Sequence, residues 1–487
     1  MDGSPTPIAE RMLIGGQWVD SAQRIEVRNP ARPDEVVGTI VRGTPEDVER
    51  AVAAAKAAQP AWAALSFTQR AEALGRGLAL LEDDLERRST VFVRENGKPL
   101  AQARQELASV PLRQRLVLSH APQLDEQRKY AAANGRTQVF RRPYGVIVSI
   151  VPWNSPDILA FTQIVAALLA GNCVVLKPPE TCPLTLIHSV GLFAEKLPPG
   201  AVNVVTGLPG EIGDALTTHP DVRKIGFTGS IPSARHIMAK AAQTIKGVNL
   251  ELGGNDPAII LDDMEFDAGP LTRILNGTFR MSGQICMAIK RIYVPKRRSE
   301  EFLEKFGNLV DGLVVGDGLS PSVTLGPVHT EKAQARAHDL IEDAKQRGAR
   351  VEPKGKILNQ AIFDRGYFVN PTIVTDVPDD APIMAEEQFC PVIPIATYDN
   401  VDEVITRANN TEFGLSGSIW GRDSDRAFAI ANRIEAGQVW VNTHGVLATN
   451  HLAPYGGVKQ SGIGRKSGIE GILEYVQTQT ITTYERS

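Results

Sequence analysis

One cysteine stands out among the residues of this sequence that could act as nucleophiles. The chain of 487 residues has four cysteines, Cys173, Cys182, Cys286 and Cys390. Cys286 follows Gly283, whose backbone freedom would let a turn present the thiol, and a thiolate is a strong nucleophile near neutral pH. Cys173 lies in an apolar segment typical of a core strand, and the other two have no activating neighbours. Cys286 is therefore the candidate nucleophile, and an inert cysteine in a reducing compartment is the alternative.

A carboxylate and a glycine-serine pair offer two further kinds of chemistry. Glu251 precedes two glycines at the end of a predicted strand, where a carboxylate has room to move and to contact water as a general base. A solvated carboxylate at a strand end is the alternative. Gly229 and Ser230 end a predicted strand and open a helix, so close backbone approach and a helix N-terminus would suit a pyrophosphate. A simple turn with a serine cap is the alternative there.

Other kinds of chemistry are not indicated. The eight histidines are scattered, and neither CxxC nor HxxxH spacing occurs, which argues against a catalytic metal. No Walker phosphate loop is present, and Gly462-Ile-Gly464 has the wrong spacing for a dinucleotide fingerprint, so we predict a loop there. Lys and Arg number 52 against 56 Asp and Glu, a net charge of −4 that argues against a nucleic-acid partner.

The elements that must position these residues alternate regularly from Tyr144 onward. The pattern predicts strands and helices in the order strand 145–151, helix 157–170, strand 173–176, helix 184–196, strand 202–206, strand 224–228 and helix 230–245. Such alternation is typical of βαβ units, so we predict an α/β fold with a parallel sheet covered on both faces. A second α/β stretch is predicted from about 248 to 434. The first 110 residues are predicted to be mostly helical, with helices ending near Gln59 and spanning Thr68–Arg88.

Location and assembly are predicted from two other segments. The N-terminus has no apolar core of a signal peptide, and the most apolar stretch, Ile158–Leu176, is interrupted by polar residues and glycine. We therefore expect no membrane contact and a cytoplasmic location. Tyr475–Tyr484 alternates in the manner of an exposed edge strand, which favours pairing with a partner subunit in a homodimer or homotetramer.

With eight ordered motifs, the sequence resembles the NAD(P)-dependent aldehyde dehydrogenase superfamily over nearly its whole length. The motifs are Pro152-Trp-Asn154, Lys177-Pro-Pro-Glu180, Phe227-Thr-Gly-Ser230, Glu251-Leu-Gly-Gly254, Gly283-Gln-Ile-Cys286, Asn370-Pro-Thr372, Glu386-Glu-Gln-Phe389 and Pro454-Tyr-Gly-Gly-Val-Lys459-Gln-Ser-Gly462. The resemblance implies a Rossmann-like parallel-sheet cofactor domain, an α/β catalytic domain and a small β oligomerisation arm. The implied boundaries are 1–118 and 142–250 for the NAD-binding domain, 251–448 for the catalytic domain, 119–141 and 470–487 for the arm, and 449–469 for a return to the cofactor domain.

The resemblance also implies a covalent reaction on a small-molecule aldehyde. The Cys286 thiolate attacks the carbonyl, and the Asn154 side chain and the Cys286 backbone N–H stabilise the resulting alkoxide. Hydride transfer to the cofactor gives a thioester. Glu251 activates the water that releases the acid, and it is also placed to deprotonate Cys286 earlier.

Cofactor contacts follow from the same motifs. Glu180, with Lys177 beside it, would bind the adenosine ribose and would repel a 2′-phosphate, so the resemblance implies NAD in preference to NADP. Gly229 and Ser230 would lie at the pyrophosphate. The remaining cofactor contacts would be Glu387 at the nicotinamide ribose, Phe389 and Leu252 near the nicotinamide, and Trp153 at the junction with the active site.

Substrate contacts are the least determined part of the prediction. The residues expected to line the aldehyde tunnel are Ser155, Leu159, Ile285, Met287, His444 and His451. Ser155 replaces a frequent aromatic residue, which favours a bulky apolar or aromatic aldehyde. The alternative is a carboxylate-bearing semialdehyde held by Arg280, an arginine found at this position in semialdehyde-oxidising relatives. For Arg280 itself we favour a structural ion pair.

Three departures from the family pattern and two rival functions complete the prediction. Cys390 and Ala234 replace residues that are usually glycine, and Lys466 stands where many members carry a glutamate proposed as a proton relay. Lys466 therefore puts that auxiliary route in doubt. A CoA-acylating enzyme and an inactive structural homologue are the rival functions, and the presence of Glu251, Cys286 and Asn154 together argues against both.

Overall fold

The computed structural model describes residues 7–132 and 135–484. The N-terminal part contains five strands followed by five helices. They are β1 (Ile8–Ala9), β2 (Met12–Ile14), β3 (Gln17–Val19), β4 (Arg24–Asn29), β5 (Arg32–Val41), α1 (Pro45–Ala63), α2 (Phe67–Ala79), α3 (Leu85–Asn96), α4 (Leu100–Leu118) and α5 (Ala121–Asp125).

Two predictions for this part are wrong. Residues 7–41 are not helical, because their segments pair as strands with one another and with later parts of the chain. The single helix predicted over Thr68–Arg88 is two helices, α2 and α3. Asp84 adopts a left-handed conformation with φ of 56°, which an α-helix cannot accommodate.

The middle of the chain carries the predicted alternation. It forms β6 (Arg128–Ala132), β7 (Gly135–Pro143), β8 (Val146–Ile150), α6 (Pro156–Leu169), β9 (Cys173–Lys177), α7 (Leu184–Ala194), β10 (Val202–Val204), α8 (Pro209–Thr218), β11 (Val222–Thr228), α9 (Ile231–Ala242) and β12 (Gly247–Glu251). The predicted strands and helices between 145 and 245 are confirmed to within a few residues. Their β-branched runs are buried, as expected for strands covered on both faces.

The last part of the chain is also α/β. Its first elements are β13 (Asp256–Ile260), α10 (Ala268–Phe279), β14 (Ile289–Pro295), α11 (Ser299–Asp311), β15 (Val314–Val315), α12 (Glu331–Gln346), β16 (Arg350–Pro353), β17 (Lys356–Ile357), α13 (Gln360–Phe363) and β18 (Thr372–Thr375). The remaining elements are α14 (Pro382–Ala385), β19 (Val392–Tyr398), α15 (Val401–Asn409), β20 (Ser416–Trp420), α16 (Ser424–Ala431), β21 (Gln438–Val441), β22 (Gly462–Ile463), α17 (Gly468–Leu473) and β23 (Val476–Tyr484).

Two large sheets form the framework, and the predicted α/β fold is confirmed. The first sheet has eight strands in the order β22-β12-β11-β8-β9-β10-β2-β3, and its strands β8 to β12 run parallel. The second has seven strands in the order β16-β18-β19-β14-β13-β20-β21. A large apolar core surrounds the first sheet, and two further clusters pack around the second.

Residues 462–463 were predicted to form a loop, and this prediction is wrong. They form β22, which pairs antiparallel with the end of β12 so that Gly462 lies opposite Glu251. The chain thus returns from its last quarter to the edge of the first sheet. Gly462 has a φ of 153°, and a Cβ there would lie 2.2 Å from the Leu250 carbonyl oxygen, so the pairing requires glycine.

A third, small sheet consists of β23, β7 and β6. The strand predicted over Tyr475–Tyr484 is confirmed, because β23 pairs with β7 along nine residues and forms an edge of this sheet. Almost all of β23 is exposed. The predicted ranges 1–118, 119–141 and 470–487 each include residues outside those described, namely 1–6, 133–134 and 485–487.

Two possible features are not found in residues 7–132 and 135–484. No helix there has both the length and the apolar character to cross a bilayer. Nor do three His, Cys, Asp or Glu side chains converge as a metal site would require.

Candidate active site

A deep cavity of about 670 Å³ opens at the carboxyl ends of the parallel strands β8, β9, β11 and β12. This edge is where open α/β sheets bind ligands. Loop residues that precede strands β14 and β19 of the second sheet, Cys286 and Glu387 among them, complete the wall. Of the predicted site residues, the cavity brings together Trp153, Asn154, Leu159, Lys177, Glu180, Gly229, Ser230, Glu251, Leu252, Cys286, Glu387 and Phe389.

A turn of unusual backbone conformation presents Cys286 to this cavity. Met281, Ser282 and Gly283 have φ values of 55°, 56° and 72°, which end the preceding helix α10 and redirect the chain. The Ser282 hydroxyl donates to the Gly326 carbonyl at 2.8 Å and ties the turn down. A Cβ at Gly283 would lie 2.4 Å from the carbonyl oxygen of Cys390. The predicted need for glycine near the nucleophile therefore has a physical basis in both φ and close approach.

Cys286 and Glu251 contact each other directly. The Cys286 thiol donates to Glu251 Oε1 at 3.0 Å, and the glutamate is 2% exposed at the end of β12. Burial, and next the negative charge of Glu251, raise the pKa of the Cys286 thiol well above its usual value. The resting form is therefore the thiol, with the carboxylate placed to accept its proton.

The Asn154 side chain lies beside this pair. Its Nδ2 donates to the Gln284 carbonyl oxygen at 3.1 Å, and the residue is 5% exposed on the cavity wall. The Asn154 carbonyl oxygen accepts a hydrogen bond from Lys98 Nζ at 3.0 Å. One of the two amide N–H groups is used in the contact with Gln284, and the fixed side chain is close to where an oxyanion on the Cys286 adduct would form.

Lys466 makes a contact in the candidate site that was missed from the sequence. Its Nζ lies 3.2 Å from Glu251 Oε2 and donates to Thr228 Oγ1 at 2.5 Å. Both side chains of the Lys466–Glu251 ion pair are buried, at 5% and 2% exposure. The signal that pointed to it was the reversed charge at a position where the family pattern often has glutamate.

The far end of the cavity has the groups that a dinucleotide requires. Ser230 caps α9, since its Oγ accepts the Ser233 backbone N–H at 3.3 Å, and the positive end of this 12-residue helix faces the cavity. Lys177 Nζ lies 3.2 Å from Glu180 Oε2, and this carboxylate is partly exposed. A helix N-terminus for phosphate and a carboxylate for ribose hydroxyls fit a dinucleotide at this position.

The nicotinamide end predicted from the motifs is a mixed polar and aromatic wall. Glu387 Oε1 accepts the Gly254 backbone N–H at 3.1 Å, and burial raises the pKa of Glu387 although nearby Lys290 opposes the effect. Trp153 packs edge-on against Phe389, with ring centroids 5.9 Å apart. Trp153 also stacks on His329 at 4.0 Å, a residue that the sequence did not indicate. Burial lowers the pKa of His329 to about 4, so a neutral ring supports the tryptophan.

Of the seven predicted substrate residues, only Leu159 lines the main cavity among the described residues. Four others, Arg280, Ile285, Met287 and His444, line a small separate recess that includes both neighbours of Cys286 in the sequence. His444 is buried and fixes Met287 by contacting its carbonyl oxygen through Nε2 at 2.9 Å. Burial lowers the pKa of His444 to about 3.

Ser155 and His451 complete the predicted set, and both lie near charged groups. The Ser155 hydroxyl donates to Glu106 Oε2 at 3.3 Å, and Glu106 also pairs with buried Lys98. Burial, and next the positive charge of Arg113, lower the pKa of His451 to about 4.

The structural ion pair that we favoured for Arg280 is wrong. Arg280 Nη2 donates to the neutral Gln105 amide at 2.7 Å, and no carboxylate of the described residues lies within 4 Å of the guanidinium. Arg113, on α4, likewise has no carboxylate partner among them, and its closest polar contact is the Val446 carbonyl oxygen at 3.5 Å. Burial lowers the pKa of both arginines.

The comparisons with known proteins agree with this geometry. The model of the aldehyde dehydrogenase family matches residues 18–481. The chain is 37% identical to a succinate-semialdehyde dehydrogenase (NADP(+)) of Escherichia coli, over 96% of each protein. It is 36% identical to a 3-sulfolactaldehyde dehydrogenase of Pseudomonas putida, over 98% of this chain and 97% of that protein.

A solved structure gives the same result for the fold. An aldehyde dehydrogenase from Bacillus cereus, determined as its NAD+ complex, is 32% identical and superposes with a TM-score of 0.93, covering 98% of this chain and 97% of that one. The chain therefore belongs to the aldehyde dehydrogenase family.

Proposed function

We propose that this protein oxidises an aldehyde bearing an anionic group to the carboxylic acid, with NAD as the hydride acceptor and water as the final nucleophile. The observation that carries the reaction type is the Cys286 thiol hydrogen-bonded to Glu251 at the inner end of a dinucleotide-shaped cavity. Family membership supports an oxidoreductase acting on aldehydes.

The residues act in an order set by their contacts. Glu251 accepts the proton of the Cys286 thiol, and the thiolate attacks the aldehyde carbon. The negative charge then develops on the former carbonyl oxygen, where the Asn154 amide donates a hydrogen bond. NAD held by the residues of this cavity would supply the hydride acceptor that oxidises the adduct to a thioester. Glu251 first releases the proton taken from Cys286 to solvent. It then deprotonates a water molecule that attacks the thioester carbon, so that the acid leaves and the Cys286 thiolate is restored.

The positive surroundings of Arg280 favour an anionic substrate. The partly buried guanidinium groups of Arg113 and Arg280 are close enough to interact electrostatically with Glu106, whose carboxylate is already paired with Lys98. Three cations therefore face one carboxylate near the recess beside Cys286. A carboxylate or sulfonate on the substrate would supply the missing negative charge in a bidentate contact. The names of the two curated relatives, which refer to a semialdehyde and a sulfonated aldehyde, support the same class.

The apolar or aromatic aldehyde predicted from Ser155 remains the second candidate, and a matched pair of substrates separates the two. We expect 4-carboxybenzaldehyde to be oxidised with a higher kcat/KM than benzaldehyde, and succinate semialdehyde with a higher kcat/KM than butanal. NADH absorbance with NAD in excess measures all four rates. Equal kcat/KM values within each pair would reject an anionic substrate and leave the aromatic or apolar aldehyde.

Arg280→Gln tests the residue that would bind the anion. Leaving a buried anion without its partner costs about 2 kcal/mol or more, which is about 30-fold in affinity. We expect the KM for 4-carboxybenzaldehyde to rise by about that factor while the KM for benzaldehyde stays within about twofold. Arg115→Gln is the matched control, because Arg115 pairs with Glu82 on the exposed side of α4. A uniform rise for both aldehydes would assign Arg280 a structural role.

The choice of NAD over NADP rests on Glu180. Its carboxylate lies on the cavity wall beside Lys177, where it accepts from ribose hydroxyls and repels a 2′-phosphate. Glu180→Ser removes this repulsion and leaves the Lys177 ammonium free to pair with the phosphate. We expect the ratio of kcat/KM for NADP to that for NAD to rise by about tenfold or more. Glu195→Ser, at the end of α7, is the control. A ratio unchanged by Glu180→Ser would place the selectivity elsewhere.

The two rival functions predict different results in the NADH assay. A CoA-acylating enzyme would need CoA for turnover, so NADH formation that proceeds without CoA and does not accelerate when CoA is added excludes it. An inactive homologue would form no NADH with any aldehyde of the panel.

We further infer the predicted organisation of the chain. The proposed NAD-binding domain comprises 1–118 and 142–250, the catalytic domain 251–448, the oligomerisation arm 119–141 and 470–487, and the return segment 449–469. The exposed backbone edge of β23 supports assembly into a homodimer or homotetramer in the cytoplasm.

A further inference from the structure

Lys466 is a buried cation in direct contact with the proposed general base. Its Nζ is 3.2 Å from Glu251 Oε2, while the other carboxylate oxygen, Oε1, accepts the Cys286 thiol at 3.0 Å. Two backbone hydrogen bonds with Tyr455, of 2.7 and 2.6 Å, fix the Lys466 main chain. The carboxylate is thus held between a thiol on one side and an ammonium on the other.

We propose that Lys466 is a positioning residue that holds Glu251 ionised and oriented towards Cys286, so that deacylation of the thioester depends on the lysine charge. The inference rests on the proposed function, in which Glu251 activates water. The inference gives a role to Lys466, which stands where many members of the family carry a glutamate.

The electrostatic part of the argument follows from burial. A carboxylate taken out of water without a partner is strongly disfavoured as an anion and becomes protonated instead. Glu251 is 2% exposed, so its carboxylate has little water to solvate its charge and needs a partner at this position. The Lys466 ammonium offsets this cost, and together the two groups are neutral. Breaking such a buried pair from one side leaves an uncompensated charge in the interior.

The other titratable groups near Glu251 do not replace this cation. Two of them, Cys286 and Glu387, add negative charge when they ionise. Lys290 is directed elsewhere, since its Nζ donates to the Ile285 carbonyl at 3.0 Å and lies 3.6 Å from Glu387. Tyr455 is neutral, because burial and then the adjacent Cys286 charge raise its pKa well above the usual value. The groups that face Glu251 are therefore Cys286, Glu387, Lys290, Tyr455 and Lys466, and Lys466 is the cation in contact with it.

The geometric part of the argument is a hydrogen-bonded chain that anchors the ammonium. Lys466 Nζ donates to Thr228 Oγ1, which also accepts from Gln163 Nε2 at 3.3 Å. The Ser149 hydroxyl on β8 donates to Gln163 Oε1 at 2.9 Å. Because β8 and β11 lie inside the first sheet, the sheet itself fixes Lys466, and Lys466 fixes the rotation of the carboxylate.

The test uses 4-nitrophenyl acetate, an activated ester that acylates a cysteine and needs neither an identified aldehyde nor cofactor. Release of 4-nitrophenol shows a burst for acylation of Cys286 and a steady phase for deacylation by water. We expect Lys466→Met and Lys466→Gln to retain a burst of about one per active site and to lose about tenfold or more in the steady rate at pH 7. Lys466→Arg keeps the charge and should recover most of the steady rate.

The pH dependence separates a charge effect from a structural one. Without the cation a proton competes better for the Glu251 carboxylate, so the steady rate of Lys466→Gln should recover as pH rises, and its acidic limb should lie at higher pH than in the unsubstituted protein. Lys224→Met is the matched control, because it breaks another buried lysine–glutamate pair on the same sheet, with Glu474 at 2.9 Å. It should keep both phases and the original profile.

The results test the role of Lys466 and the proposed function separately. Wild-type steady rates and an unshifted profile in Lys466→Gln and Lys466→Met would overturn the role of Lys466, while a slow steady phase in Glu251→Gln would leave the proposed function standing. A normal steady phase in Glu251→Gln would instead overturn the general base. If Lys466→Met does not fold, the Gln and Arg variants decide the question, since both retain a hydrogen-bond donor at this position.

Discussion

Replacing Cys286 with alanine is expected to abolish NADH formation with every aldehyde and to leave the protein folded. No other side chain on the cavity wall is a comparable nucleophile within reach of Glu251, so the reaction cannot begin. The substitution removes one partly exposed sulfur atom and creates no cavity in the core. NADH absorbance and the thermal unfolding midpoint measure the two parts of the prediction.

Cys173→Ala is the control for this experiment. Cys173 is fully buried in β9, and burial raises the pKa of its thiol to about 12, which keeps it unreactive. The control variant should retain the activity of the unsubstituted protein. Full activity in Cys286→Ala would reject Cys286 as the nucleophile and, with it, the covalent mechanism.

Glu251→Gln is expected to give about one NADH per active site in a rapid burst and then to turn over slowly. The thioester still forms if the thiol ionises by another route, but the amide cannot take a proton from water. Loss of a general base typically lowers the rate by about 10²–10⁴-fold. Rapid mixing with NAD and 4-carboxybenzaldehyde resolves the burst from the steady phase.

The control for Glu251→Gln must account for the lysine that loses its partner. The single substitution leaves the buried Lys466 ammonium unpaired, which destabilises the fold. The double variant Glu251→Gln with Lys466→Met removes both charges, so its unfolding midpoint should recover while its turnover stays slow. Recovery of turnover in the double variant, or unchanged steady turnover in Glu251→Gln, would remove Glu251 from the role of base.

Local sequence patterns predicted the part of the fold in which each element is specified by its own residues. Strands such as β8 and β9 are continuous β-branched runs, and α6 begins at Pro156 and ends before Gly171, so their bounds follow from short-range chemistry. The strands β1 to β5 were missed: β1 to β3 have only two or three residues each, and β4 and β5 form by pairing with each other. They are stabilised by pairing with one another and with distant partners such as β10, which a local pattern does not show.

The candidate site was likewise predicted only where local sequence motifs specify it. The residues of the motifs that line the cavity were predicted, because each motif carries its own turn and polar group. The contact between Lys466 and Glu251 joins residues 215 positions apart, and no local pattern encodes it. Arg280 shows the opposite error, since an ion pair is the common state of a buried arginine and only the three-dimensional surroundings show a neutral amide beside it.

The pairing of β22 with β12 has a consequence for synthesis of the protein. The ribosome produces Cys286 and Glu251 long before it produces Gly462 and Lys466, yet the base acquires its cation only when β22 joins the edge of the first sheet. A nascent or prematurely terminated chain that lacks this last segment therefore holds the nucleophile without a competent base. In the proposed mechanism, hydrolytic turnover is therefore a property of the completed chain, and a partly synthesised copy could form the thioester without releasing the acid.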